Sequence, residues 1–252
     1  MASRADLQPQ RIVARHFFSL CSGSERVATS SDGRFCRCVL NNETGSGDRL
    51  QQLLAEAGME PLAAGLPEQF STYLALLLRW NARTNLTAVR DQEGILRRHF
   101  FESIACARLL PWGIATLLDL GSGAGFPGIP IAMCRPEIAV TLAESQNKKA
   151  AFLHEAVRQL RLSVSVRGFR AEHLAESFDC VVMRGVDDMA RSVSLATSLV
   201  ADAGFLAVMT TDSEKTSIEH SAGHCFDASA THLLPGSSNR ILLLLKRRRR
   251  PG

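Results

Sequence analysis

The sequence predicts an α/β fold, a mainly parallel sheet with helices on both faces and a small helical module ahead of it. Three observations carry that prediction. The run Leu117-Leu118-Asp119-Leu120 enters the turn Gly121-Ser122-Gly123-Ala124-Gly125-Phe126-Pro127-Gly128 and reads as buried strand, glycine turn and helix. A second apolar run, Val140-Thr141-Leu142-Ala143, ends in Glu144. That acid lies roughly 20 residues past the glycines, where a carboxylate can accept hydrogen bonds from a ribose diol. Further on, short β-like runs alternate with helical patterns, as in a parallel sheet with ligands at the carboxyl ends of its strands.

Residues 1–47 are rich in Ser, Arg, Asn and Gly without a sustained period of 2 or 3.6, and are expected to be a disordered extension. Arg4, Arg11 and Arg15 faintly suggest a transit peptide, against which stand Asp6 and Glu25. Residues 48–112 form the helical region. Leu50, Leu53, Leu54 and Ala57 share one helical face and Gly58 stops it; from Pro67, Phe70, Tyr73, Leu74, Leu77, Leu78 and Trp80 mark a second. Asn81 to Thr87 reads as a polar connector, and a third helical segment runs through Ile95, His99, Phe100 and Ile104 until Pro111. Residues 113–252 hold the sheet. After its second strand, Lys148 to Leu160 is an amphipathic helix, and strands are expected at Leu162–Val166, Asp179–Met183, Phe205–Met209 and Ile241–Leu245. The stretch Thr211 to Asn239 receives no secure assignment.

Composition narrows the function classes. The chain has 252 residues, 46% of them apolar, enough for a substantial core. Its net charge is +4, yet Lys246 to Arg250 are all basic, so the basicity is a tail that contacts nucleic-acid phosphates or stays solvated. The 7 cysteines form no CxxC pair, which suggests free buried thiols in a reducing cytoplasm. No uninterrupted apolar run is long enough to cross a membrane, so a soluble protein without membrane partners is expected. Histidine spacings give no metal site, and a serine-nucleophile motif is absent.

The spacing also ranks cofactors. A dinucleotide fingerprint starting at Gly121 needs its third glycine at 126, where this chain has Phe126. A nucleoside without pyrophosphate fits better, and S-adenosylmethionine is the common one; a tight turn without any ligand is the bland alternative. Around such a cofactor the amides from Gly121 through Gly123 to Phe126 can surround the ligand, the Phe126 side chain adds apolar cover, and Glu144 takes the ribose. Ala171 and Glu172 follow the third strand and could read an adenine through a backbone N–H and a carboxylate, although Glu172 could equally be an ordinary exposed acid. Arg184 ends the fourth strand and could hold the cofactor carboxylate or an RNA phosphate, or pair with Asp187 or Asp188. His99 suits a core or capping role better than a catalytic one.

Three segments resemble one family: Arg79-Trp80-Asn81-Ala82-Arg83-Thr84-Asn85-Leu86-Thr87, Arg98-His99-Phe100-Phe101-Glu102-Ser103, and Asp119 through the glycine turn to Ile129-Pro130. They are similar to signatures of the small-subunit ribosomal RNA guanine-N7 methyltransferases, also called glucose-inhibited division protein B, over roughly residues 48–246. The resemblance implies a Rossmann-like class I methyltransferase fold with a seven-stranded sheet and an N-terminal helical region. It also implies S-adenosylmethionine as donor, a guanine of 16S rRNA in the small subunit or its ribosomal particle as acceptor, and cofactor contacts at Gly121, Phe126, Ala171, Glu172 and Arg184. No metal and no catalytic acid or base is implied, and a monomer is expected. One departure is Met209-Thr210, where the family usually has Lys-Gly. Two other readings remain: a methyltransferase acting on a small molecule or a protein, and a non-catalytic RNA-binding assembly factor.

Overall fold

The computed structural model describes residues 45–186 and 188–249, so the expectation for residues 1–44 lies outside the described residues. The leucines at the helical spacing are the reason for α1 (Ser46–Glu56), which buries Leu50, Leu53 and Leu54 and begins at Ser46 rather than Asp48. Phe70, Tyr73, Leu74 and Leu77 form the buried side of α2 (Leu66–Thr84). This helix continues through Asn81, where the sequence reads as a connector. Asn81 is itself buried, and its side-chain carbonyl accepts the Thr87 N–H at 3.0 Å. Asn85, left-handed at φ 42°, ends the helix.

The third helical segment comes in three pieces: α3 (Gln92–Ile95), a π-helical stretch (Leu96–Phe101) and α4 (Glu102–Leu109). The wider π turn lets adjacent Phe100 and Phe101 both be buried. A seven-stranded sheet follows in the order β3-β2-β1-β4-β5-β7-β6. Its strands are β1 (Thr116–Leu120), β2 (Ala139–Ala143), β3 (Ser165–Arg167), β4 (Phe178–Arg184), β5 (Val200–Thr211), β6 (Phe226–Leu233) and β7 (Arg240–Arg247). β7 runs antiparallel to both of its neighbours, and the ladders from β3 through β5 are parallel. This is the mainly parallel α/β sheet that the sequence predicts.

Period-2 alternation gives the sheet two buried faces. Leu117, Val182, Ala207 and Leu242 face one core, shared with α1 to α4, α5 (Gly128–Cys134) and α6 (Asn147–Gln159). Leu118, Val181, Val208 and Leu243 face the other, under α7 (Met189–Leu199) and α8 (Lys215–Ala222). The helical region and the sheet therefore share one continuous core.

Three boundaries differ from the sequence reading. β3 starts at Ser165 rather than Leu162, because α6 closes through Arg161 at φ 53° and the Leu162 N–H still bonds the Val157 carbonyl at 3.0 Å. Thr211 to Asn239 contains α8 and β6. The basic tail is strand as far as Arg247, whose guanidinium donates to the Thr197 and Val200 carbonyls, while Arg248 pairs with Asp227 at 2.5 Å. Of the cysteines described, Cys106 and Cys180 are buried free thiols, but Cys225 is exposed.

Candidate active site

Strand order reverses between β1 and β4, so the loops leaving their carboxyl ends diverge and open a crevice. Gly121 and Gly125 turn the β1 loop at φ 73° and 89°. At Gly125 the need is also steric, since a Cβ would stand 2.5 Å from Ile129 Cδ1 and 2.7 Å from Tyr73 Oη. At Gly121 the nearest side-chain atom to such a Cβ is Val186 Cγ1 at 3.4 Å, across the mouth of the crevice.

The loop amides do not stand open around a ligand, as the sequence suggests, because the loop needs them for itself. Gly121 and Ser122 donate to the Ala143 carbonyl at 3.0 Å, Gly125 and Phe126 to the Ser122 carbonyl, and Gly123 to Glu144 Oε2 at 2.9 Å. Glu144 is buried at the end of β2, and its other oxygen accepts the Gln146 N–H at 2.7 Å. Each carboxylate oxygen keeps a further lone pair, enough for a diol.

Four of the expected residues meet at one cleft. Gly121, Glu144, Ala171 and Glu172 line it together with Phe169 and Val186, around a volume of about 220 Å³. Ala171 and Glu172 lie in a 3-10 turn (Ala171–His173), and Glu172 pairs with Arg191 at 3.2 Å. Phe169, Val186 and Arg191 were not singled out from the sequence. Nothing in the local sequence marks them, because they reach the cleft from segments brought together by strand order.

Gly123, Phe126 and Arg184 stand outside the cleft lining. Instead of covering a ligand, the Phe126 ring is buried in a stack, with centroids 5.3 Å from Tyr73 and 4.9 Å from His99. His99 also hydrogen-bonds Thr87 Oγ1 at 2.7 Å through Nε2, while its buried Nδ1 has no partner. Burial, with Arg184 and Arg98 nearby, pushes its pKa down to about 3, so the ring is neutral. The three segments that carry the family resemblance thus converge on one cluster.

Arg184 Nη2 donates to the Arg98 carbonyl at 2.6 Å and to Glu102 Oε2 at 3.1 Å, and its buried Nη1 has no partner. Glu102, 1% exposed, also accepts from Arg240 Nε at 2.6 Å, so one carboxylate on α4 joins β4 and β7. Pairing of Arg184 with Asp188 does not occur: Asp188 instead caps α7 by accepting the Arg191 N–H at 3.1 Å, and Asp187 lies outside the described residues. Met209 pairs in register with Arg184 and is buried, while Thr210 bonds Glu214. Beneath the loop, Asp119 Oδ2 accepts the Gly128 N–H at 2.9 Å while Oδ1 has no partner, and burial pushes its pKa up to about 7. Among the described residues no cluster of His, Cys, Asp or Glu could hold a metal ion, and no helix is long and apolar enough to cross a membrane.

A family model described as rRNA small subunit methyltransferase G matches residues 67–238. A curated relative, ribosomal RNA small subunit methyltransferase G of Roseiflexus sp. (strain RS-1), is 40% identical over 194 residues, covering 71% of this chain and 82% of its own. Among solved structures, mitomycin 7-O-methyltransferase MmcR is similar at a TM-score of 0.54 and 14% identity, covering 81% of this chain and 67% of that one. A SAM dependent methyltransferase from Aquifex aeolicus gives 0.50 at 17% identity, with 61% and 93% covered. At those identities the solved structures establish the fold, Rossmann-like class I.

Proposed function

The chain belongs to the rRNA small subunit methyltransferase G family, and from that premise we propose that it moves a methyl group from S-adenosylmethionine to N7 of one guanine in small-subunit 16S rRNA. The observation that carries the cofactor is buried Glu144, tied to Gly123 and facing the same cleft as Gly121 at the point where strand order reverses. The residues present fit the group. Glu144 has lone pairs left for the ribose diol, and Ala171 and Glu172 stand on the cleft wall for the adenine, with Phe169 beside them. Arg184 stands outside the cleft lining, and its buried Nη1 lacks an acceptor, so a contact with the cofactor carboxylate or a phosphate would need its side chain to shift. When bound, S-adenosylmethionine supplies a methyl group made electrophilic by its sulfonium.

The acceptor chemistry agrees with what the site lacks. Guanine N7 presents an in-plane lone pair, so no base has to remove a proton. His99 is neutral and hydrogen-bonded to Thr87, and Asp119 is buried below the loop, so neither is placed to act as one. The protein's task is to orient the acceptor and exclude water. For RNA, Arg79, Arg83, Arg98 and Lys148 are exposed and form no ion pair among the described residues, whereas Arg97 pairs with Glu93 and Arg90 bonds Asn85. The first group is the candidate surface for flanking phosphates. We place the protein in the cytoplasm as a monomer.

The test is transfer of radiolabel from S-adenosylmethionine to small-subunit RNA, or to particles from a strain lacking the gene, with the product identified by mass spectrometry. Label in 7-methylguanosine at one site is the expected result. Cofactor binding without label on rRNA would mean another acceptor, and no cofactor binding would leave an RNA-binding factor.

A further inference from the structure

The sheet has a second charged feature at the end away from the cleft. β7 runs antiparallel to β5, so its last residues lie where the parallel strands begin, the length of a strand, roughly 20 Å, from the crevice. There a groove of about 420 Å³ is lined by Ala203, Asp227 and four successive cations, Lys246, Arg247, Arg248 and Arg249.

Two of the four cations have structural work. Arg247 holds the Thr197 and Val200 carbonyls and lies 3.6 Å from Asp202, and Arg248 is neutralised by Asp227. The other two do not. Lys246 is exposed and rests its ammonium 5.5 Å from the Phe205 ring centroid, and Arg249 is exposed; among the described residues neither forms an ion pair. The groove therefore offers two uncompensated cations, Lys246 near the end of β7 and Arg249 two residues beyond it. The same end of the sheet carries Trp112, just before β1, with its side chain 87% exposed and the Arg135 guanidinium 4.7 Å from the ring centroid. Cations that track a backbone, together with an open aromatic face, are what a flexible stretch of nucleic acid requires.

The geometry points to a second RNA contact at this end of the sheet, in which Lys246 and Arg249 hold backbone phosphates. It rests on rRNA being the substrate. It adds that the protein grips RNA at a place that no nucleotide seated in the cleft can reach, so the contacted segment is not the one that is methylated. Recognition would then depend on the shape of the RNA across both ends of the sheet.

The experiment compares wild type with the double variant Lys246→Gln and Arg249→Gln, which leaves the structural Arg247 and Arg248 in place. Affinity for small-subunit rRNA is measured by filter binding over a range of salt, beside cofactor affinity and the thermal midpoint. The double variant should bind rRNA about 5- to 10-fold more weakly, with a salt slope shallower by about 1.5, at unchanged cofactor affinity and midpoint. A second variant, Trp112→Ala, should weaken rRNA binding several-fold without altering the salt slope. If wild type binds rRNA and the double variant matches it in affinity and slope, this inference is overturned alone, as it is if the variant loses affinity only for an acidic protein partner. If wild type binds no small-subunit rRNA, the functional reading falls, and this one with it.

Discussion

Asp119 concentrates the electrostatic strain of the site in one side chain. Its carboxyl is fully buried, one oxygen holds the Gly128 N–H, and the other has no partner. Burial is the main reason its pKa rises from 3.8 to about 7, and the charge of Glu144 adds to it. A group whose folded pKa exceeds its unfolded value binds its proton more tightly in the native state. Its contribution to stability is therefore complete below about pH 4 and is lost as pH climbs towards 7. Asp119→Asn keeps an acceptor for Gly128 and carries no charge at any of these values. The midpoint of the variant should thus gain on that of wild type between about pH 4 and 7, by roughly 10 °C at the upper end, and level off beyond. Thermal melts in matched buffers would decide this; parallel curves would mean that Asp119 does not titrate in the native state.

The glycine loop owes its shape to a neighbouring element as much as to its own residues. Tyr73, on the buried side of α2, donates its hydroxyl to the Ala124 carbonyl, and its ring stacks 5.1 Å from Phe100 and 5.3 Å from Phe126. Tyr73→Phe retains the stack and leaves a buried carbonyl without its donor, at a cost of about 1–3 kcal/mol. We expect a midpoint several degrees lower and a cofactor Kd raised a few-fold, read by calorimetry; an unchanged Kd would show that α2 does not brace the loop. This dependence explains how much of the site was legible. Gly121 and Glu144 could be found because one strand, one turn and one spacing place them. Phe169 and Val186 could not, since they reach the cleft from loops whose convergence is a property of strand order. The same holds for elements. Helices with a buried stripe read cleanly, and the third helical segment was legible as helix though not its π-helical turn, while β6 is an edge strand whose side chains are mostly exposed, so it shows no alternation.

At the scale of the molecule, one carboxylate closes the join between the helical region and the sheet. Glu102 lies on α4, and its two oxygens take Arg184 from β4 and Arg240 from β7, which are far apart in sequence and on different strands. The motif that contains Glu102 gave no sign of this role, since both partners come from the far half of the chain. Apolar burial already holds the helices on this face of the sheet, so the ion cluster serves chiefly to fix their register against β4 and β7. Register matters here because His99 and Phe126, one from each side of the join, form a single stack. Glu102→Ala would leave two guanidinium groups buried or half-buried without a countercharge, and breaking such a cluster costs about 3–5 kcal/mol. Thermal unfolding should show a midpoint roughly 10 °C lower. Arg240→Gln should cost less, because Arg184 still neutralises the carboxylate, and the double variant should fall well short of the sum of the two. Additive losses would mean that Glu102 and Arg240 act independently, and a change within about 0.5 kcal/mol for Glu102→Ala would mean that the join does not depend on it.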